Sequence, residues 1–422
     1  MIDLKLSIMR ACKKNTLLFR MLRTINRHYV HRSGRFKSFF RRIRKPPYDI
    51  HALIHVDPLK ITRYCHYSSN KFLDAGKILD GDWDRALWDF AQYHGIGPAY
   101  EAHFRQGIPW EKTEYFAYLL KKITAGYIHV GAKSPDELRR RFSRQDEIYD
   151  DIRRNGYRLQ REIPNPDGGP LHEGDEVAVH VGRDGDLLLA DGVHRLMMTR
   201  LLGLRSIPVR VSIRHAHWVR FVEEILDVAR YNGDGHIYHQ LTHPDLAAIP
   251  ASHDDTRMRI IRQHLPNGEK LRVLDIGAHW GHFCHHLEAL GHDCVAVESD
   301  PQHIYFLRKL RLAENRHFAV IGKSIFDLPP LGHFDVVLAL NIFYHFLKTR
   351  SSFEKMTRFL SELEADHIFF QPHLTGELLP GESFKDFTPT AFVDFVAQTS
   401  GLRKQTLIGA DTDQRPIYLL SK

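Results

Sequence analysis

The stretch Val273-Leu274-Asp275-Ile276-Gly277-Ala278-His279-Trp280-Gly281-His282-Phe283 constrains this chain more than any other. Arg272 to Ile276 is a short branched-aliphatic run of the kind a buried parallel strand needs. Gly277 and Gly281 punctuate a turn, and Phe283 to Leu290 resumes at helical spacing. Strand, tight turn and helix in that order place a ligand at the turn. The glycines let the backbone come close to it, and the first helical turn offers unpaired N–H groups.

The residues after this helix extend the pattern. Cys294-Val295-Ala296-Val297-Glu298 reads as a second buried strand ending in an acid, 23 residues after Asp275. That is about one strand-helix-strand unit, and an acid at the end of the second strand can accept hydrogen bonds from both hydroxyls of a ribose. The alternation continues with a helix over 301–315, a strand over 318–321, the segment Ser324-Ile325-Phe326-Asp327 and a strand over 334–340. A helix over 351–363, a strand over 367–371, a helix over 389–399 and strands over 404–409 and 416–420 complete it. This predicts a doubly wound α/β sheet over 254–422, with a helix over 254–265 leading in.

At 422 residues the chain is too long for one ordinary core. Its composition and punctuation divide it into a basic extension over 1–47, a first domain over 48–230, a linker over 231–253 and the α/β domain. The net charge of +8 is concentrated at the start, where Lys5 to Lys45 holds fourteen lysines and arginines and no acid. Leucines, Phe19, Met21 and Ile25 interleave with Arg20, Arg23 and Arg27, which suits an anionic membrane surface or an acidic partner, with nucleic acid the weaker fit. No run approaches the roughly 18 apolar residues of a membrane span, and no secretory signal is evident. Cys12, Cys65, Cys284 and Cys294 lack metal-knuckle spacing. A cytoplasmic protein, peripheral to the inner membrane face at most, is expected.

In the first domain, Asp80-Gly81-Asp82-Trp83-Asp84 crowds three acids around a glycine. Such carboxylates raise one another's pKa unless a cation sits between them, so the cluster is either a ligand site or a turn capping a helix over 85–93. Pro135-Asp136-Glu137 opens a helix through Ile152, with Leu138, Phe142, Ile148 and Ile152 as its core stripe, and Asn155-Gly156 ends it. Strands over 176–181 and 187–190 flank a polar glycine turn. Asp191-Gly192-Val193-His194-Arg195 then opens a helix that Gly203 stops, before a strand over 206–213. Backbone N–H groups, His194 and Arg195 at one helix start make an anion-binding corner suited to phosphate.

Asp191, Gly192, His194, Arg195, Gly203, Leu204, Ile207, Pro208 and Val209 give this region a resemblance to the ParB/sulfiredoxin superfamily. The resemblance implies an α+β domain whose turn, through Asp191, Gly192, His194 and Arg195, binds a phosphate or nucleotide such as ATP or CTP with a divalent cation. Val193 stands where sulfiredoxins place their reactive cysteine, which disfavours reductase chemistry. The polar connection beyond it clusters His236, His239 and His243, read as surface or partner-contact histidines, and no metal site is expected.

The second domain resembles the class I S-adenosylmethionine-dependent methyltransferases through its VLDIGAHWG turn, Glu298, the SIFDLP acid Asp327 and the FDVVLALNIFYHF strand ending in Asn341. The resemblance implies a Rossmann-like seven-stranded sheet binding S-adenosyl-L-methionine. Asp275, Gly277, Ala278, His279 and Gly281 would lie along the methionine, Glu298 and Ser299 at the ribose, Asp327 at the adenine and Asn341 beneath the sulfonium. His279 stands where the family prefers a small residue, and it and Trp280 either narrow the methionine pocket or line the acceptor side. A hydroxyl acceptor needs a base, for which His345 is the first candidate with Tyr344 beside it; His373 also faces the crevice. Phe343, Phe346, Phe369 and Phe370 suggest an aromatic-walled pocket for a small molecule, saccharide or lipid-linked glycan. Two other classes stay open: a kinase or NTPase with an accessory methyltransferase domain, and a non-catalytic ligand-binding protein.

Overall fold

The computed structural model describes residues 52–422 apart from 66–74, 90–91, 93–94, 129–130, 164–175, 232–233, 268–269 and 378–382. The basic segment 1–47, with its expected membrane or partner contacts, lies outside the described residues. The chain divides into two compact units between Val219 and Arg220.

The first unit is built on a mixed sheet of β1 (Leu53–Val56), β2 (Arg63–Cys65), β3 (Lys77–Leu79), β4 (Leu87–Asp89), β5 (Ala178–Val181), β6 (Leu187–Asp191) and β7 (Ile207–His215). Their order is β1-β7-β5-β6-β2-β4, with β3 also paired to β7. Its helices are α1 (Ile96–Gln106), α2 (Glu114–Thr124), α3 (Pro135–Asn155) and α4 (Val193–Leu201). α3 starts as its sequence dictates: Ser134 caps it by accepting from the Glu137 N–H, Pro135 sits in its first turn, and Gly156 ends it with a positive φ. Leu138, Phe142 and Ile152 are buried along one face. Among the described residues 85–89 the helix expected over 85–93 does not form. Residues 83–86 turn and β4 pairs with β2, because the Asp84 carboxylate is turned to Arg183 and is not free to cap a helix.

α5 (Ala216–Tyr231) contains the division between the units. The second unit continues with β8 (Ile237–His239), β9 (Ala251–His253), α6 (Thr256–His264), β10 (Arg272–Ile276), α7 (His282–Ala289), β11 (Asp293–Val297) and α8 (Pro301–Ala313). Then come β12 (Ala319–Ile321), β13 (Phe334–Leu340), α9 (Arg350–Glu362), β14 (Ala365–Gln371), α10 (Pro389–Ser400), β15 (Lys404–Ala410) and β16 (Pro416–Ser421). Seven strands form one sheet in the order β12-β11-β10-β13-β14-β16-β15. The first five are parallel, and β16 runs antiparallel to both β14 and β15. Alternate side chains feed two cores. Leu274, Ile276, Val337, Ala339, Ile368 and Phe370 pack with Met356, Leu360, Phe392 and Val396 of α9 and α10. Val273, Ala296, Val336, Leu338 and Phe369 pack with Ile261, Phe283, Leu287 and Leu307 on the other face. Burial on both faces explains why these strands read as continuous apolar runs.

Within the segment expected as a linker, β8 and β9 pair in parallel and belong to the second unit. His239 and His243 are buried, while His236 is exposed, so only the last is a surface histidine. Their apolar neighbours, Ile237, Leu241 and Leu246, are buried with them and pull the segment into the fold.

Candidate functional site

The strand order reverses between β10 and β13, and an open α/β sheet binds ligands at such a switch point, outside the carboxyl ends of its strands. The register brings the sequence motifs to that edge. Ile276 pairs with Val297 and Asp275 with Leu338, so the glycine turn, Glu298 and Asn341 all leave their strands there. Asp327, exposed in a short 3-10 turn after β12, follows from the neighbouring strand.

Each residue of the turn has a local reason for its place. Gly277 has φ 74°, and a β-carbon on it would lie 2.8 Å from Cδ1 of Ile342, the residue after Asn341, so glycine lets the ends of β10 and β13 close together. Gly277 and Ala278 both donate their N–H to the Val297 carbonyl, and Gly281 starts α7 with φ 83°. The Glu298 carboxylate accepts from three backbone N–H groups, those of His279 (2.8 Å), Ser299 (2.7 Å) and Asp300 (2.9 Å). Three of its roughly four acceptor positions are thereby used to fix its orientation, and one is left for a hydroxyl. The Asp275 carboxylate is buried beneath α7, where it accepts from the Cys284 thiol at 3.7 Å. Burial raises its pKa to about 7 against this hydrogen bond, and Glu298 adds to the rise.

Trp280 is buried and stacks on Phe306 of α8 at 4.4 Å and on His279 at 5.4 Å, ring centre to ring centre. His279 takes φ 52°, in the left-handed region, and lies 5.2 Å from Tyr238 and 4.1 Å from His303, ring centre to ring centre. Burial and His303 push its pKa down to about 3, so it is neutral.

Asn341 is also left-handed, with φ 56°. Its side-chain amide donates to the Tyr238 hydroxyl at 3.3 Å, and its Oδ1 is buried with no partner. A left-handed backbone and an orphaned acceptor thus stand together at the end of a central strand. Tyr344 and His345 follow in a 3-10 turn with ring centres 4.1 Å apart, and Tyr344 stands 6.5 Å from His373. Partial desolvation and Lys348 hold the pKa of His345 below the ordinary histidine value. His373 is buried, its Nε2 bonded to the Phe387 carbonyl at 3.0 Å and its Nδ1 without a partner.

The expected aromatic walls are elsewhere: Phe343, Phe369 and Phe370 are fully buried in the sheet's two cores, and Phe346 packs on Phe326. What borders the crevice is polar. Gln371, which pairs with Leu340 across the strand ends, donates to Asp411 at 2.7 Å. Asp411 accepts from the Arg415 N–H at 3.0 Å and lies 3.9 Å from the Arg257 guanidinium. Arg415 forks onto Glu377 and passes 6.0 Å from the Tyr344 ring centre. Sequence reasoning missed Tyr238, Arg257, Gln371, Glu377, Asp411 and Arg415. They come from the supposed linker, from α6, from the end of β14 and the residues after it, and from the turn between β15 and β16, and no local motif ties them together.

In the first unit the anion-binding corner is less open than its motif. Gly192 has φ 88°, and a β-carbon there would meet the Val177 backbone at 2.9 Å. The Asp191 carboxylate accepts from the Gly192 N–H. His194, pushed down to about 3 by burial and the nearby arginines Arg141 and Arg195, is neutral and hydrogen-bonded to the Tyr100 hydroxyl at 2.6 Å. α1 and α2 bring Tyr100 and Tyr115 against its ring. Arg195 donates to Tyr157 and lies 3.6 Å from Glu176. The acid cluster at 80–84 is neutralised from within: Arg183 donates to both Asp82 and Asp84 and to the Gly81 carbonyl.

Residues 274–362 match the Methyltransf_11 family model, a methyltransferase domain. The second unit carries a methyltransferase domain. No curated protein sequence matches the chain. Among solved structures it is similar to the bifunctional kinase-methyltransferase WbdD, at 23% identity over 46% of each chain and a TM-score of 0.38. The match thus spans less than half of WbdD. The N-terminal domain of EvdMO1, solved with SAH bound, matches at 14% identity over 47% of this chain and 96% of its own, with a TM-score of 0.33. The PH0226 protein from Pyrococcus horikoshii OT3 matches at 14% identity over 39% of this chain and 89% of its own, with a TM-score of 0.31. These likenesses are distant. Among the described residues no helix is long and apolar enough to cross a membrane.

Proposed function

We propose that the second unit transfers the methyl group of S-adenosylmethionine to an oxygen of a polar small molecule, a saccharide or a lipid-linked glycan. The observation that carries this reading is the unpartnered, buried Oδ1 of Asn341, which stands with the pinned Glu298 carboxylate at the switch point of a methyltransferase domain. The residues fit the cofactor. Glu298 keeps acceptor capacity for a ribose, Asp327 stands exposed after β12 for the adenine amino group, and the turn over Gly277, Ala278, His279 and Gly281 lines the methionine. Ser299 is held beside the ribose acid by its own N–H.

When bound, S-adenosylmethionine supplies a methyl already activated by a positive sulfur, so the chain's work is alignment, exclusion of water and proton removal. Asn341 orients the groups at the end of β13. His345, held neutral, takes the proton of the acceptor hydroxyl at a ring nitrogen, and Tyr344 positions it by ring contact. The acceptor class rests on the wall of Gln371, Glu377, Asp411 and Arg415, which suits hydroxyls and charge better than an apolar ring. In the first unit Arg195, beside Glu176 and Tyr157, would meet a phosphate, of ATP or CTP with a divalent ion, and the basic segment 1–47 would meet anionic lipid or an acidic partner in the cytoplasm.

Calorimetric titration tests the core of the proposal. S-adenosylmethionine should bind the full chain, with affinity lost in Glu298→Ala and in Asn341→Ala, and methylation of saccharide acceptors should fall in His345→Ala with affinity kept. Unchanged cofactor affinity in both of the first two variants would sink the assignment. Titration with ATP and CTP, repeated in Arg195→Ala, tests the first unit.

A further inference from the structure

α7 carries a second constellation besides its cofactor-facing start. His282 and His286 lie four residues apart, one above the other on the same helical face. The Nε2 atoms of both point at one carboxylate oxygen, Oδ1 of Asp255, at 3.6 Å from His282 and 3.8 Å from His286. The three ligand atoms lie within 4.8 Å of one another. Zinc holds imidazole nitrogen and carboxylate oxygen at about 2.0–2.2 Å, so tetrahedral ligand atoms stand roughly 3.4 Å apart. The observed carboxylate–imidazole spacings need an adjustment of only a few tenths of an ångström.

Three independent features mark these atoms as aimed at something. Nδ1 of His282 pairs with the Gln240 carbonyl at 3.3 Å, which fixes the tautomer that leaves a lone pair on Nε2, the usual outer contact of a metal-binding histidine. Nε2 of His286 is buried with no hydrogen-bond partner. Asp255 occupies the N-cap position of α6 yet makes no capping bond; Asp254 accepts from the Thr256 N–H in its place, leaving the Asp255 carboxylate turned to the histidines. The His282 ring is further held by stacking on His239 at 4.3 Å.

We propose that Asp255, His282 and His286 bind a divalent transition metal, zinc first among them, through three protein ligands with a fourth position open to water. Two histidines and a carboxylate with an open position is a donor set zinc favours over calcium or magnesium. The site would clasp the start of α6 to α7, whose N-terminus carries the glycine turn. The other grouping of possible ligands among the described residues, His333, Asp335 and Asp366, is already consumed. Asp366 pairs with Lys422 and His333, and Asp335 accepts from the Arg272 N–H.

The test uses the full chain stripped by chelator and titrated with Co2+, followed by displacement with Zn2+. One equivalent of cobalt should give the visible absorption of a four-coordinate site, zinc should bleach it, and zinc should raise the melting temperature. Asp255→Asn and His286→Ala should each weaken binding by more than ~100-fold, beyond the cost of losing an outer-shell partner, while His333→Ala leaves it unchanged. Asp255→Asn preserves side-chain size, so a metal-free melting temperature equal to that of the parent separates a lost ligand from a lost fold. Absence of a saturable cobalt spectrum, or one that survives both ligand variants, overturns the proposal. Neither outcome depends on which cofactor the neighbouring crevice takes.

Discussion

At the scale of single residues, the buried Asp275 makes the unit's stability depend on pH in a direction opposite to that of most carboxylates. Its folded pKa, about 7, stands above the ordinary 3.8. Between these values the folded chain holds a proton that the unfolded chain has released, so stability falls as pH rises from about 4 to about 7 and is level above that. Asp275→Asn, which keeps the shape and carries no charge, should remove this decline. Urea unfolding at pH 5 and pH 8 measures it: the difference between the two should shrink in the variant, and an unchanged difference would show that Asp275 is not the titrating group. The same ionisation links to the ligand, since a cationic amino group beside Asp275 would favour its charged form. Other residues carry contacts that their motifs do not announce. The His194 ring, in the phosphate-type corner, is hydrogen-bonded to the Tyr100 hydroxyl. Trp280 sits in the middle of the cofactor turn and serves the packing of α8.

Among elements, the joint between the β5–β6 turn and the acid cluster before β4 is the clearest case of charge deciding conformation. Burial raises the Asp84 carboxyl, but hydrogen bonds from the Arg183 side chain and N–H, together with His215, bring it below the usual range. This contribution is present above the ordinary carboxylate pKa and is lost as pH falls through the lowered one. Arg183→Met leaves Asp84 buried without its cation and should cost about 3–5 kcal/mol. Asp84→Asn in the same chain should recover part of the loss, and denaturant titration of the single and double variants measures both. Equal stability of Arg183→Met and the parent would show the pair to be idle. The turn between β15 and β16 plays a comparable part in the second unit: Asp411 and Arg415 reach the crevice because β16 is antiparallel to β14, which returns the chain to the carboxyl edge of the parallel strands.

For the whole molecule, every residue placed at the methyl-transfer crevice falls between Tyr238 and Arg415, and this unit has its own sheet with a core on each face. A chain beginning at Ala216, which keeps α5 intact, should therefore unfold cooperatively and bind S-adenosylmethionine with the affinity of the full protein. Thermal unfolding and calorimetry check this; a fragment that folds but loses affinity would place part of the cofactor site in residues 52–215. From α6 onward the second unit's order of elements was legible from its apolar runs and helical spacing. Strands buried on both faces give unbroken apolar runs, and the glycines and terminal acids between them fall where the chain must turn and meet a ligand, as at Gly277, Gly281 and Glu298. The first unit was legible in α3, whose cap, proline and final glycine are local signals, and illegible at 85–93, where a partner 99 residues away took the capping carboxylate.

The sequence by itself determined the parallel sheet, the ligand turn and the positions of Asp275, Glu298 and Asn341, because unbroken apolar runs, the glycines between them and the polar residues at their ends are local signals. Only the tertiary structure decided which side chains face the crevice. The phenylalanines expected to wall it lie within the sheet's cores, and the polar wall of Arg257, Gln371, Glu377, Asp411 and Arg415 is assembled from segments up to 158 residues apart in the chain. The same is true of Asp255, His282 and His286. Their convergence depends on the packing of one helix start against another helix's face, for which a single sequence carries no periodic sign.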